Sequence, residues 1–132
     1  MSAILPRLKS DLVEVIKKTT ENKLKEIDLK WKKEKSMTIV LCAKGYPAKY
    51  KKNIKLDIIK KIKLSKNDFI YHAGTKISHN NLLSNGGRIL NITSIGNSYY
   101  RIRNNIISLI KKMKLKQTFY RKDIGWRIIK KT

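Results

Sequence analysis

The stretch Thr38–Ala43, reading TIVLCA, restricts the fold of this chain more than any other. Its side chains are apolar at both odd and even positions and rich in β-branched residues. Because successive side chains of a strand point to opposite faces, such a run needs cover on both sides and predicts a central strand. Phe69–Ala73 and Arg88–Ser94 are expected as further central strands of the same sheet. Between "NNLLS" and "RILNITSIG", Asn85-Gly86-Gly87 predicts a tight hairpin with positive φ. Ile102, Ile106, Ile110 and Met113 recur every three or four residues and predict an amphipathic helix of roughly four turns. Leu56–Ile62 reads as a short helix, and "QTFYRKDIGWR" as a closing strand and turn. Strands and helices are mixed without a repeated βαβ unit. The expected class is therefore α+β, a mostly antiparallel sheet flanked by helices.

Ahead of this block the pattern is helical. Leu5, Leu8, Leu12 and Ile16 share one helical spacing, with Pro6 near the start where its missing N–H is harmless. A short helical turn is expected within 22–27, and a polar, charged stretch places a boundary near Lys35. The chain has 132 residues, enough for one domain or a small domain with a remnant of another. It has no apolar run long enough to span a membrane and no signal-peptide pattern, so a cytoplasmic location is expected and a membrane partner is not. The single cysteine, Cys42, reads as a buried small residue.

A net charge of +23 invites a nucleic-acid reading. The cations, however, are overwhelmingly lysines spread along the whole chain, with Arg7, Arg88, Arg101, Arg103, Arg121 and Arg127 as the arginines. Lysine, isoleucine and asparagine enriched together are what AT-rich codons produce. A nucleic-acid partner is therefore not expected, although a basic nucleic-acid-binding domain or a structural interaction module stays open as the alternative.

The residues exclude the common catalytic constellations. There is no Walker loop, no Cys/His metal spacing and no G-x-S-x-G elbow; His72 and His79 have no third ligand. Nine acidic residues leave little for paired carboxylates, and Asp123, just before Gly125 and Trp126, reads as a turn cap. What remains is a set of small-residue turns that each carry a cation: Lys44 in "AKGYP", Lys76 in "HAGTK" and Arg88 in "NGGR". Turn amides with a nearby cation suit a phosphate.

Five motifs, "ILPRLKSDL", "TIVLCAKGYPAKY", "FIYHAGTK", "NGGRILNITSIG" and "FYRKDIGWR", stand in the order found in one family. Over essentially its whole length the chain resembles the C-terminal third of phosphoribosylamine–glycine ligases, of the ATP-grasp superfamily. The resemblance implies a helical remnant of the ATP-grasp domain at 1–35 and the phosphoribosylglycinamide synthetase C-terminal domain at 36–132. It implies a part in joining glycine to 5-phosphoribosylamine with ATP, in purine biosynthesis. Lys76 and Arg88 are implied to hold the substrate phosphate on one concave surface, with Lys44, Gly45 and Tyr46 at its edge. The Glu and Asn that hold Mg²⁺ in the family precede "LPRLKSDL". This chain alone is thus expected to bind no ATP, Mg or Mn, to lack activity by itself, and to pair with a separately encoded ATP-grasp half or self-associate.

Overall fold

The structure, a computed structural model, describes residues 1–129. The last three residues of the expected 36–132 domain lie outside the described residues. The strands are β1 (Lys35–Ala43), β2 (Asp68–His72), β3 (Thr75–Ser78), β4 (Asn81–Ser84), β5 (Arg88–Gly96) and β6 (Thr118–Phe119). The helices are α1 (Leu12–Thr20), α2 (Tyr99–Met113) and α3 (Trp126–Ile129). A four-stranded antiparallel sheet has the order β2-β5-β1-β6, and β3 and β4 form a separate two-stranded one. The class is α+β, as its patterning predicts.

β1 is an interior strand. Met37, Ile39, Leu41 and Ala43 are buried, while the alternate Thr38, Val40 and Cys42 are half-buried. In register with the first set stand Leu90, Ile92 and Ser94 of β5. Ile102, Ile106, Leu109, Ile110 and Met113 of α2 join them in one core. Each such side chain contributes about 1.5–3 kcal/mol on leaving water. This burial, more than helix propensity, holds α2 in place. The other side of β1 and β5 is closed by hydroxyls and by the first residues. Thr38 and Thr93 share a hydrogen bond of 2.7 Å, the Thr93 hydroxyl donates to the Ser2 carbonyl at 3.2 Å, and the Asn91 amide donates to the Ser2 hydroxyl at 3.2 Å.

One carboxylate inside the domain is fully engaged. Asp68 is buried and accepts from the Ser94 hydroxyl at 2.5 Å, the Asn105 amide at 2.6 Å and the Ser65 hydroxyl at 2.7 Å. These bonds tie β2, β5 and α2 together and offset the cost of taking the charge out of water.

The structure corrects several expectations. Asn85-Gly86-Gly87 is not a hairpin turn: β4 pairs with β3, β5 with β1 and β2, and neither Gly86 nor Gly87 has a positive φ. The other edge of β4 is taken by residues 54–56, through Ser84 N–H to Ile54 O (2.9 Å) and Leu56 N–H to Leu82 O (2.8 Å), so it does not pair with β5. The true hairpin is β3–β4, whose turn carries positive φ at His79 (45°) and Asn80 (61°), the pair a two-residue turn requires.

β2 stands at the sheet edge, not in its centre. The stripe from Leu5 to Ile16 is not one helix: a 3-10 turn covers Leu5–Arg7, and Leu8 is extended and bridges to Trp31. α1 then starts anew because the Asp11 carboxylate accepts from the N–H groups of Val13 (2.8 Å) and Glu14 (3.0 Å). The helix expected over 56–62 is a 3-10 segment, Asp57–Lys61. Cys42 is half-buried; burial raises its thiol pKa and the charge of Arg88 opposes that rise. The turn at Asp123 is closed by Trp126 N–H to the Asp123 carbonyl at 3.1 Å, while its carboxylate pairs with Arg121 at 2.7 Å. That arginine holds the Asp123 pKa below its ordinary value.

Candidate anion-binding site

The turn that fails to make a hairpin builds one wall of a concavity on the sheet. Gly74 and Gly86 cross so closely that a Cβ on Gly74 would lie 2.6 Å from the Gly86 Cα, and only a glycine pair permits this approach. The Gly74 carbonyl accepts from the N–H groups of Asn85 (2.8 Å) and Gly86 (3.1 Å), and Gly74 N–H donates to the Arg88 carbonyl (2.8 Å). From the other side Ala43 N–H donates to the Gly87 carbonyl at 2.8 Å. The Tyr46 ring lies directly on Gly87, where a Cβ would come within 2.0 Å of the ring. Gly45, at φ 98°, makes the bend that brings Tyr46 there. The backbone of Arg88 is thereby fixed while its side chain remains exposed.

This turn lines a hollow of about 690 Å³. Tyr46, Gly74, Gly86, Gly87 and Arg88 form one side, Thr38, Val40 and Asn91 of the sheet face another, and Met1, Ser2 and Ala3 a third. No acidic residue lines it, and the Arg88 guanidinium stands there with hydroxyl and amide groups. Such a set suits an oxyanion, to which a guanidinium gives short charge-assisted hydrogen bonds.

Of the residues expected at a phosphate site, Arg88 and Tyr46 come together here. Lys76 sits on β3, exposed and paired with Leu83, two residues beyond Gly74 and outside the lining. Lys44 is exposed, its N–H held by the Gln117 carbonyl at 2.9 Å, and it too is outside the lining. Thr38, Asn91 and Ser2 were not anticipated. The signal for the first two was present: a polar side chain in an apolar strand, at positions that alternate with the core set. Among the described residues no group of His, Cys, Asp and Glu is placed to hold a metal, and no helix is long and apolar enough to cross a membrane. His72 instead shares a hydrogen bond with the Thr75 hydroxyl, and His79 with that of Ser78.

Comparison with known proteins agrees with this architecture. The phosphoribosylamine–glycine ligase of Caldanaerobacter subterraneus subsp. tengcongensis is 38% identical over 93% of this chain and 29% of its own length. That of Haemophilus influenzae is 36% identical over 97% of this chain and 30% of its own length. The bifunctional purine biosynthetic protein purD of Dictyostelium discoideum is 34% identical over 96% of this chain and 16% of its own length. The chain thus spans under a third of the length of these curated relatives. A solved structure, the phosphoribosylamine–glycine ligase of Thermotoga maritima, superposes with a TM-score of 0.61 over 83% of this chain and 27% of that one, at 23% identity, which supports the fold. Residues 36–127 match the family described as phosphoribosylglycinamide synthetase, C domain, and the match takes in β1 to β6, α2 and the glycine turn before Arg88. The chain belongs to the phosphoribosylglycinamide synthetase C-domain family.

Proposed function

We propose that this chain acts as the C-terminal portion of a phosphoribosylamine–glycine ligase, in the cytoplasm, and supplies the surface that takes the ribose-phosphate end of 5-phosphoribosylamine. The observation that carries this reading is the acid-free hollow in which a rigid glycine turn presents Arg88, within a domain of this family. In the complete reaction the glycine carboxylate attacks the γ-phosphate of ATP, releasing ADP. The amine of phosphoribosylamine then attacks the resulting glycyl phosphate, forming the amide and releasing phosphate. The first step depends on positioning and on a divalent ion (Mg or Mn) neutralising developing charge. An ATP-grasp body supplies both. This chain holds the second substrate, with Arg88 on its phosphate, Lys76 and Lys44 adding positive charge nearby, and Gly45 and Tyr46 at the edge of the hollow.

The first third of the chain supports a partner surface. Ile4, Leu12, Val13, Ile16, Leu24, Leu29 and Trp31 are all exposed, and α1 buries none of its residues. Patches of this kind mark contact surfaces. An ATP-grasp body, whether continuous with this chain or encoded separately, covers them; without it they drive self-association.

The test is formation of glycinamide ribonucleotide from ATP, glycine and freshly generated phosphoribosylamine, with and without an ATP-grasp half. Turnover is expected only when the half is added, and Arg88→Ala should then raise KM for phosphoribosylamine far more than it lowers kcat. Turnover by this chain alone, or an Arg88→Ala enzyme with unchanged KM, would overturn the proposal.

A further inference from the structure

A second hollow, of about 600 Å³, lies between the segment 51–58 and the end of α2, and shares no lining residue with the first. Lys51, Lys55, Lys114 and Lys116 surround it, all exposed, while Ile58, half-buried Leu115 and the buried Met113 contribute apolar surface. The acid in its lining, Asp57, is already engaged: its carboxylate accepts from Leu82 N–H at 3.0 Å and pairs with Lys60 at 3.2 Å. The hollow therefore faces solvent with four ammonium groups and a patch of hydrocarbon.

Two plainer explanations cover only part of this. Lysines at a helix C-terminus complement the partial negative charge of its last carbonyls. Lys111 and Lys112 already do so in the last turn of α2, and Lys51 and Lys55 come from a different segment. Codon-driven enrichment raises isoleucine as well as lysine, but it does not bring cations from two separate segments, 51–55 and 114–116, around one hollow. Gathering like charges costs free energy through mutual repulsion, and an acidic ligand would relieve it.

The composition also indicates the kind of ligand. No arginine is present to grip a phosphate in two-point fashion, and no aromatic ring offers a base a stacking platform. A lining that combines exposed lysines with apolar side chains instead suits a protein interface, in which complementary charge guides and orients the partner. We infer that this hollow docks an acidic segment of a protein partner, its carboxylates toward Lys51, Lys55, Lys114 and Lys116 and its apolar side chains over Ile58 and Leu115. The inference does not depend on the proposed ligase role.

The experiment is fluorescence anisotropy with the full chain and a short labelled peptide in which two leucines stand among glutamates. Competitors are the same peptide with serines for leucines and a single-stranded RNA of equal charge. Two fourfold variants are compared, K51Q/K55Q/K114Q/K116Q at the hollow and K17Q/K25Q/K33Q/K66Q elsewhere. All eight lysines are exposed, so both variants should keep the parent circular dichroism spectrum. The hollow variant is expected to lose affinity about tenfold or more and the control about twofold or less, because only close charge pairs carry large coupling. Ile58→Asp should weaken binding as well, and the leucine-free peptide should compete poorly. Equal losses in the two fourfold variants would overturn the inference. So would a leucine-free peptide that binds as tightly, a tighter complex with the RNA, or no saturable binding.

Discussion

Gly87→Ala separates a steric requirement at the candidate site from general fragility of the turn. A Cβ on Gly87 would meet Tyr46 Cδ2 at 2.0 Å, Cε2 at 2.6 Å and Cγ at 2.9 Å. An ordinary carbon–carbon contact is about 3.5–4.0 Å, so the ring must retreat by roughly 1.5–2 Å. Retreat disturbs its edge-on contact with Tyr50, whose ring centroid is 5.9 Å away at an interplanar angle of 65°. Such aromatic pairs are worth about 0.5–1.5 kcal/mol, and overpacking costs about 1–3 kcal/mol. We therefore expect Gly87→Ala to lose about 2 kcal/mol, which lowers Tm by on the order of 6–8 °C in a chain of this size. Urea unfolding followed by circular dichroism measures the loss.

A Tyr46→Ala background removes the obstruction. There the glycine change should cost less than about 0.5 kcal/mol, giving a coupling of roughly 1.5 kcal/mol. Gly74→Ala is the contrast, since its Cβ would meet backbone, the Gly86 Cα at 2.6 Å and the Arg88 carbonyl oxygen at 2.7 Å. No side-chain deletion relieves that clash, so its larger loss should persist in the Tyr46→Ala background. A Gly87→Ala protein within about 0.5 kcal/mol of the parent, or an equal cost in both backgrounds, would rule out the Tyr46 clash as the cause.

Further expectations follow from the core and the carboxylates. Ile106 has no solvent exposure, so Ile106→Ala should cost about 2–5 kcal/mol in urea unfolding, whereas Tyr100→Ala, on the exposed side of α2, should stay within about 0.5 kcal/mol. Asp68→Ala removes the acceptor of the Ser94 hydroxyl and leaves the Asn105 amide only its 3.2 Å bond to Ser94 Oγ, and should cost roughly 1–3 kcal/mol, with Asp68→Asn recovering part of it. The Asp57 carboxyl is held below its ordinary pKa first by the Leu82 N–H and then by Lys60. The folded state therefore binds fewer protons there than the unfolded chain. Its stabilisation is present above the ordinary carboxylate range and lost as pH falls through the lower folded value. Asp57→Asn should be less stable than the parent near pH 7 and approach it in melts below about pH 4.

The elements that patterning located share one property: their burial follows from local period or local composition. Ile102, Ile106, Ile110 and Met113 repeat at helical spacing and are buried, and the β-branched run of β1 is an interior strand flanked by β5 and β6. Those positions were legible because one helix stripe or one strand run can be buried in only one way. The glycine stretch is legible as a turn, but its role is not. Asn85-Gly86-Gly87 carries a strong local hairpin signal, and distant segments override it: Ile54 and Leu56 take the edge of β4, while β1 and β2 take β5. The glycines serve a close crossing with Gly74 and a seat for the Tyr46 ring, contacts that join residues far apart in the chain.

The same division holds at the site. The residue pattern alone shows that acids are scarce and that Lys44, Lys76 and Arg88 each stand in a small-residue turn. That Arg88 lines the hollow, joined by Thr38, Asn91 and Ser2, follows from long-range packing. Which face of a strand looks into a concavity depends on pairing register and on what covers the other face, and neither is a property of any short stretch of residues.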